Sequence, residues 1–330
     1  MTGQERRVTI DDVARLAGVS KATVSRHLNG KSWVSPDATR AVGEAIEALG
    51  YVPNGSAQKL AKQRTDYVGC VFSEPMLSLS ENPVFAVLLQ DITRELSVSG
   101  RSTVLLFAQT PEEEERVLHY ARARHVDGII IMTPVAGSRL LTELVRTGFP
   151  TVTTGPVSDD PDWPVPYAGV DDAMGSTQAV EHLLETGRRA IGVVSGPLRT
   201  PGAHTRLQAA VDALDGAPAE RVEEAAAFTV AAGYEAARVL LERCPDLDAL
   251  YVASDVLAIG AADYLQRSGR RIPEDVALVG FDNVATNPPL TTVAPVGSGT
   301  SPAALITDLL DGKTVRSVLN PTMLVRRTST

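Results

Sequence analysis

The sequence is poor in cysteine, in aromatic residues and in long apolar stretches. The shortages of cysteine and of long apolar stretches each exclude a class of protein. Its two cysteines, Cys70 and Cys244, are too few for a disulfide scaffold, and we expect both to be reduced. No run approaches the ~18 apolar residues of a membrane-spanning helix. Met1 is followed by polar residues instead of the apolar stretch of an export signal. We therefore expect a cytoplasmic protein without a membrane partner.

Motifs of enzymes are also missing. There is no phosphate-binding loop with its two glycines and Gly-Lys-Ser end, no dinucleotide glycine pattern, no His-Glu-x-x-His and no Gly-x-Ser-x-Gly. The five histidines are scattered, and no cysteine pair has the spacing of metal ligands. The sequence thus predicts a protein that is not an enzyme and that needs neither a cofactor nor a metal.

Charge is distributed unevenly along the 330 residues, whose formal net charge is -9. Residues 1–64 carry ten bases and six acids, whereas the other 266 residues carry 21 bases and 34 acids. A basic head on an acidic body confines any contact with phosphate to the head. The length also exceeds what one core usually supports, so two or more domains are expected.

The head has the start and stop signals of three short helices. Thr9 is an N-cap with Asp12 three residues later, and Gly18 ends the first helix. Ser20 caps a second helix over residues 21–28. Ser35, followed by a proline, caps a third helix that ends at Gly50. The tight turn between the first two helices predicts a helix-turn-helix.

The second helix carries side chains that can read DNA bases. Lys21, Ala22 and Arg26 lie on the face away from the core, where the basic groups can donate to guanine and the methyl can contact thymine. An alternative is that the pattern reflects only the packing of a three-helix bundle. Short hydrogen-bonding side chains that could bind DNA phosphates surround these positions: Ser20, Thr23, Ser25 and Asn29.

The body alternates apolar strands with amphipathic helices, which predicts parallel sheets covered on both faces. The predicted strands are 67–72, 103–107, 128–132, 151–154, 190–194, 249–253 and 276–279, and the predicted helices are 85–98, 111–124, 140–147, 175–185, 231–243 and 256–268. The length accommodates two such sheets, with ligands at the carboxyl ends of the strands. Two proline-rich segments, 161–166 and 288–295, are interpreted as crossovers between the two lobes.

The head resembles the N-terminus of regulators of the lactose-repressor (LacI/GalR) family nearly position for position. The resemblance runs over Val8-Thr-Ile-Asp-Asp-Val-Ala-Arg-Leu-Ala-Gly-Val-Ser-Lys-Ala-Thr-Val-Ser-Arg-His-Leu-Asn29 and continues through Val34-Ser-Pro, Leu49-Gly-Tyr-Val-Pro-Asn54 and Ala57-Gln-Lys-Leu60. It implies that Lys21, Ala22 and Arg26 set the operator sequence. It also implies that a hinge helix follows, whose Leu60 enters the minor groove.

The hinge segment is short enough for its folding to depend on DNA. About eight residues follow Pro53 and Asn54, and isolated helices under ~12 residues are marginal in water. We expect Leu60 to unstack one base step when the segment folds on the operator; the alternative is a plain helical linker. Gln58 stands where many relatives carry Arg. Further contacts with the DNA backbone are predicted at Thr9, Tyr51, Asn54 and Ala57.

The family resemblance extends through the body more loosely. It is carried by Val126-Asp-Gly-Ile-Ile, Ser195-Gly-Pro, Ser254-Asp-Val-Leu-Ala-Ile-Gly260, Val279-Gly-Phe-Asp-Asn283 and Arg327-Thr-Ser-Thr330, among others. It implies a two-lobed fold like that of periplasmic binding proteins, in which Arg206, Asp282 and Ser254 bind effector hydroxyls. Phe85 and Asn82 are expected beside them. The alternatives are a surface ion pair for Arg206, a turn cap for Asp282 and a core position for Phe85.

The predicted architecture is thus an all-α helix-turn-helix domain (1–52), a hinge helix (53–64) and an α/β body of two parallel sheets (65–330). The body has one lobe at about 65–166 and 296–318 and another at about 167–293 and 319–330. We expect a homodimer, because a twofold pair of reading helices matches a palindromic double-stranded DNA operator. The function indicated is that of a sequence-specific transcriptional regulator, expected to be a repressor, which a sugar-like small molecule either releases from its operator or recruits to it.

Overall fold

A computed structural model describes residues 8–29, 34–51, 64–74, 80–135, 137–158, 163–287, 289–296 and 299–330. The chain divides into two compact units, residues 1–65 and 66–330. Among the described residues, no helix combines the length and apolar character needed to cross a bilayer.

The described part of the first unit contains three helices: α1 (Ile10–Leu16), α2 (Lys21–Asn29) and α3 (Pro36–Leu49). Thr9 caps α1 in the predicted reciprocal arrangement with Asp12, and Ser35 caps α3, which ends at Gly50 in the left-handed conformation. The three helices share a core built from Val13, Ala14, Val24, Val42, Ala45 and Tyr51. The predicted helices are confirmed, while the hinge residues 53–63 lie outside the described part of the chain.

The first lobe of the second unit is a parallel four-stranded sheet in the order β2-β1-β3-β4. Its strands are β1 (Tyr67–Phe72), β2 (Ser102–Phe107), β3 (Gly128–Ile131) and β4 (Thr151–Thr153). Its helices are α4 (Pro83–Val98), α5 (Pro111–Arg122), α6 (Arg139–Arg146) and, from near the end of the chain, α11 (Pro302–Leu310).

The second lobe is a six-stranded sheet in the order β12-β10-β9-β8-β6-β7. The strands are β6 (Ile191–Ser195), β7 (Val222–Glu224), β8 (Ala249–Val252), β9 (Ala277–Phe281), β10 (Thr291–Pro295) and β12 (Thr322–Val325), and β12 alone runs antiparallel to its neighbour. Helices α7 (Asp172–Glu185), α8 (Pro201–Ala213), α9 (Val230–Arg243) and α10 (Asp255–Arg267) cover this sheet.

Alternation along the strands builds one core on each face of each sheet. In β1, Val68, Cys70 and Phe72 face one core of the first lobe, while Val71 faces the other. In β8, Leu250 and Val252 face one core of the second lobe, while Ala249 and Tyr251 face the other. Since successive strand residues point to opposite faces, each strand is buried on both sides.

A small parallel sheet joins the lobes. Its strands β5 (Ala168–Val170) and β11 (Val318–Asn320) pair side by side, and β5 leads directly into α7 while β11 leads into β12. A third crossing segment lies against them, because the Asn320 side chain donates to the Thr300 carbonyl at 3.0 Å and the Val296 N–H donates to Pro321 at 2.9 Å. A Cβ on Gly299 would collide with the Asn320 side chain.

The prediction of a crossover at residues 288–295 is wrong, because Thr291–Pro295 is β10, a strand between β9 and β12. Its two threonines resemble loop residues in sequence, yet both are fully buried with bonded hydroxyls. Thr291 donates to the Arg327 carbonyl at 3.2 Å, and Thr292 donates to Asp255 at 2.7 Å. The sequence also missed β5, β7, β11, β12, α8 and α11.

Candidate functional site

The outer face of α2 carries the side chains predicted to read DNA. Lys21, Ala22 and Arg26 are all exposed, while Val24 on the opposite face is fully buried in the core of the first unit. The Arg26 Nε donates to the Ala22 carbonyl at 3.3 Å. The structure thus places the three predicted reading residues together on one accessible helix face.

One of these residues, Lys21, forms an ion pair with an acidic side chain. The Lys21 ammonium lies 3.0 Å from the carboxylate of Asp11, in the first turn of α1, and both side chains are more than half exposed. An exposed pair of this kind contributes little to stability. Breaking the pair between Lys21 and Asp11 therefore costs little free energy.

The predicted backbone-contacting residues have varied surroundings. Ser20 accepts from the Thr23 N–H at 3.1 Å, and Thr9 accepts from the Asp12 N–H at 3.4 Å, so both serve as helix caps. Tyr51 is only 8% exposed and packs in the core of the unit. Ser25 is half-buried. The side chain of Asn29 and residues Asn54, Ala57, Gln58 and Leu60 lie outside the described part.

The second unit contains a cleft of about 160 Å³ at the carboxyl ends of the strands. The first lobe contributes Glu74 after β1, Thr133 after β3 and Thr154 after β4. The second lobe contributes Asp172, Arg206 and Asp282. Apolar walls come from Val84, Phe85, Met132, Pro134, Pro156, Pro201, Ala203 and Phe228. This mixture of apolar walls and a few polar groups is typical of a small-molecule site.

Arg206, on α8, is fixed at the centre of the polar groups. Its Nε donates to Asp172 at 2.7 Å, and its Nη1 donates both to the Ala253 carbonyl at 2.7 Å and to Asp282 at 3.1 Å. The guanidinium also lies 3.6 Å from the ring centre of Phe281. The surface ion pair considered for Arg206 is wrong, because its side chain is only 15% exposed.

Two buried carboxylates share one guanidinium, and burial raises the pKa values of both. Burial raises the pKa of Asp282 to about 6, and Arg206 offsets only part of that effect. Burial also raises the pKa of Asp172 against the attraction of Arg206. Burial disfavours the charged form of Arg206 and acts to lower its pKa. The charges of the two carboxylates outweigh this effect, so the pKa of the guanidinium is raised. The site therefore presents both donors and acceptors, as a polyol requires.

The backbone of Asp282 is strained where it enters the cleft. Its φ is 104°, and the following Asn283 has φ 58°, a region that side-chain-bearing residues rarely occupy. The Asp282 N–H donates to Val293 on β10 at 2.8 Å, which anchors this turn to the sheet. The turn directs the Asp282 carboxylate towards Arg206.

The remaining predicted effector residues divide between the cleft and its support. Asn82 and Phe85 both line the cleft. The Asn82 side chain also caps α4 by accepting from the Val84 N–H at 3.1 Å, and Phe85 packs edge-on against Phe72 with ring centres 4.9 Å apart. Ser254 is fully buried as the N-cap of α10. Its side chain hydrogen-bonds to Asp282, so it supports a residue that lines the cleft.

Asp255 is the first residue of α10 and follows its N-cap, Ser254. Its carboxylate accepts from the Thr292 hydroxyl and from the Val284 N–H, each at 2.7 Å. A Cβ on Gly280 would overlap this carboxylate, so only glycine leaves room for it. Burial and, next, the charge of Asp282 raise the pKa of Asp255 to about 7.

The raised pKa of Asp255 predicts how stability depends on pH. The fold binds a proton that the unfolded chain releases near pH 3.8, so stability falls as pH rises through the folded pKa of about 7. Between pH 5 and 8 the loss should be about 2 kcal/mol. In Asp255→Asn the thermal midpoint should vary less over this interval. Asp275→Asn is the control, because the pKa of Asp275 is about 2; equal pH slopes for wild type and Asp255→Asn would contradict the assignment.

Comparisons with known proteins cover the whole chain. A family model described as bacterial regulatory proteins, lacI family, matches residues 9–54, and one for a periplasmic binding protein-like domain matches residues 180–330. The HTH-type transcriptional regulator CelR of Thermobifida fusca is 38% identical over 335 residues, covering 98% of each protein.

Two solved structures have the same overall arrangement of elements. A complex of the transcriptional regulator CelR with cellobiose is 35% identical, covers 98% of this chain and 100% of that one, and has a TM-score of 0.74. The lac repressor dimer bound to operator and the anti-inducer ONPF is 27% identical, covers 98% and 99%, and has a TM-score of 0.84.

Proposed function

The chain belongs to the lacI family of bacterial regulatory proteins, which bind DNA and control transcription, and from this premise we propose that its effector is an uncharged sugar, with cellobiose as the first candidate. The observation that carries the proposal is the buried Arg206, which is held between two carboxylates in a cleft of about 160 Å³. A paired guanidinium and carboxylate match the donors and acceptors of adjacent hydroxyl groups. The 38%-identical relative is a regulator whose namesake was solved with cellobiose.

Operator recognition is assigned to α2. Lys21 and Arg26 donate to guanine edges in the major groove, and the Ala22 methyl contacts thymine. Thr9, Ser20, Thr23, Ser25, Asn29 and Tyr51 position the head on the phosphates, and Asn54 and Ala57 extend these contacts. Leu60 enters the minor groove at the operator centre. Two copies of the chain bind a palindrome as a homodimer in the cytoplasm, and the protein catalyses no reaction.

Effector and operator act on the same equilibrium in this proposal. Cellobiose binds between the lobes and changes their closure, and the lobes bias the folding of hinge residues 53–64. Because binding free energies are reciprocal, operator DNA must change cellobiose affinity by the factor with which cellobiose changes operator affinity.

The proposal is tested with the full-length chain and an operator selected from random double-stranded DNA. Cellobiose at 100 times its Kd should stabilise the chain by ~2.7 kcal/mol and raise its thermal midpoint, and it should change operator affinity at least about fivefold. Ribose and glucose are the comparison sugars. Failure to enrich any palindromic sequence would refute the operator assignment, and stabilisation by another sugar alone would refute cellobiose.

A further inference from the structure

An ion pair connects the two lobes beside the cleft. Glu74 follows β1 of the first lobe, and Arg199 lies between β6 and α8 of the second lobe. A single nitrogen of Arg199, Nη2, donates to both carboxylate oxygens of Glu74, at 2.9 and 2.8 Å. Each residue sits at the carboxyl end of a parallel strand, where ligands bind in such folds.

Glu74 is a buried residue of the cleft wall, and its partner Arg199 is half-exposed. It is only 1% exposed and lines the cleft, whereas the Arg199 side chain is 48% exposed. Within the part of the chain that the structure describes, Nε and Nη1 of Arg199 make no hydrogen bond. The Glu74 oxygens have further lone pairs. The pair can therefore offer donors and acceptors to a bound molecule.

The charges around the cleft favour a neutral ligand. Two guanidinium groups, Arg199 and Arg206, face three carboxylates, those of Glu74, Asp172 and Asp282. Every positive charge in this set already has a carboxylate partner, and one negative charge is in excess. A phosphate entering this site would find each guanidinium already paired with a carboxylate and would be repelled by the excess negative charge.

We propose that Glu74 and Arg199 form a second hydroxyl-binding pair, one residue from each lobe, that selects an uncharged sugar and rejects its phosphorylated form. This inference rests on the proposed function of the cleft and adds its selectivity. Because the two residues come from different lobes, a hydroxyl bound between them also favours lobe closure.

The test compares cellobiose with cellobiose 6′-phosphate by titration calorimetry on the full-length chain. Glu74→Gln removes the carboxylate and releases Arg199, so cellobiose should bind about tenfold more weakly while the phosphorylated sugar binds more tightly. The Kd for cellobiose divided by the Kd for cellobiose 6′-phosphate should rise at least about tenfold. A merely structural role for Glu74 would weaken both ligands together, and that result would overturn the proposal.

Two further variants complete the test. The double variant Glu74→Gln/Arg199→Gln lacks both charges. It should lose the tighter binding of cellobiose 6′-phosphate that Glu74→Gln shows, and if it keeps that tighter binding, the role of Arg199 is overturned. Glu112→Gln, on the exposed start of α5, should match wild type for both ligands. If wild type binds cellobiose but Glu74→Gln has the same ratio of Kd values as wild type, the proposed selectivity of Glu74 and Arg199 is wrong and the effector site is still supported. If wild type binds none of the sugars tested, the proposed effector site itself is wrong.

Discussion

Replacing Arg206 by glutamine should weaken cellobiose binding at least about 100-fold and leave operator binding in place. The substitution removes the group that donates to Asp172, Ala253 and Asp282. Two buried carboxylates then remain without a cation, which costs several kcal/mol when both are charged. The effector therefore loses its principal donor, and the polar groups around it lose their arrangement.

The pH dependence of this variant provides an internal check. Without Arg206, protonation of Asp172 and Asp282 relieves their repulsion, so Arg206→Gln should be less destabilised at pH 5 than at pH 8, as measured by thermal unfolding. Arg122→Gln, in an exposed ion-pair cluster on α5, should retain wild-type cellobiose affinity. A titration in which Arg206→Gln also keeps that affinity would place the effector elsewhere.

Replacing Arg26 by alanine should weaken binding to the selected operator by about 1 to 3 kcal/mol, roughly 10- to 100-fold, and relax the preference at one base pair. Arg26 is exposed on α2, and its one hydrogen bond to another described residue is a 3.3 Å contact with Ala22 of its own helix. Its removal should therefore leave the thermal midpoint nearly unchanged. Affinities for operators that differ at each position are measured by gel shift.

The matched control for Arg26 is Arg40→Ala, which removes an exposed arginine from α3. It should reduce the net charge equally and leave base preference as in wild type. If Arg26→Ala instead weakens all sequences by the same factor and lowers the dependence on salt, Arg26 binds phosphate. Base reading would then depend on Lys21 and Ala22.

The sequence predicted the head well because its signals are local. N-caps such as Thr9 and Ser35, and Gly50 at the end of α3, act within one helical turn, so the chain shows them without tertiary information. The seven apolar strands of the body were equally visible. In contrast, β10 was missed because the burial of Thr291 and Thr292 depends on partners from residues 255 and 327.

The cleft was only partly predictable. Arg206 and Asp282 were found by resemblance to the family, but nothing in the sequence placed Asp172, Glu74 or Arg199 with them. Arg199 and Glu74 are 125 positions apart, and their pairing depends on how two separately folded sheets meet. The one available clue was topological, since Glu74 and Asp172 both follow directly upon strands of parallel pairs.

The three segments that join the lobes determine which motions the body can make. Strands β5 and β11 are hydrogen-bonded along their length, and the third segment is bonded to β11 and its continuation through Asn320 and Pro321. Three independent tethers would let the lobes shear and twist as well as close. Because these segments are bonded side by side, sliding one lobe past the other would break their hydrogen bonds, whereas bending all three segments together would keep them.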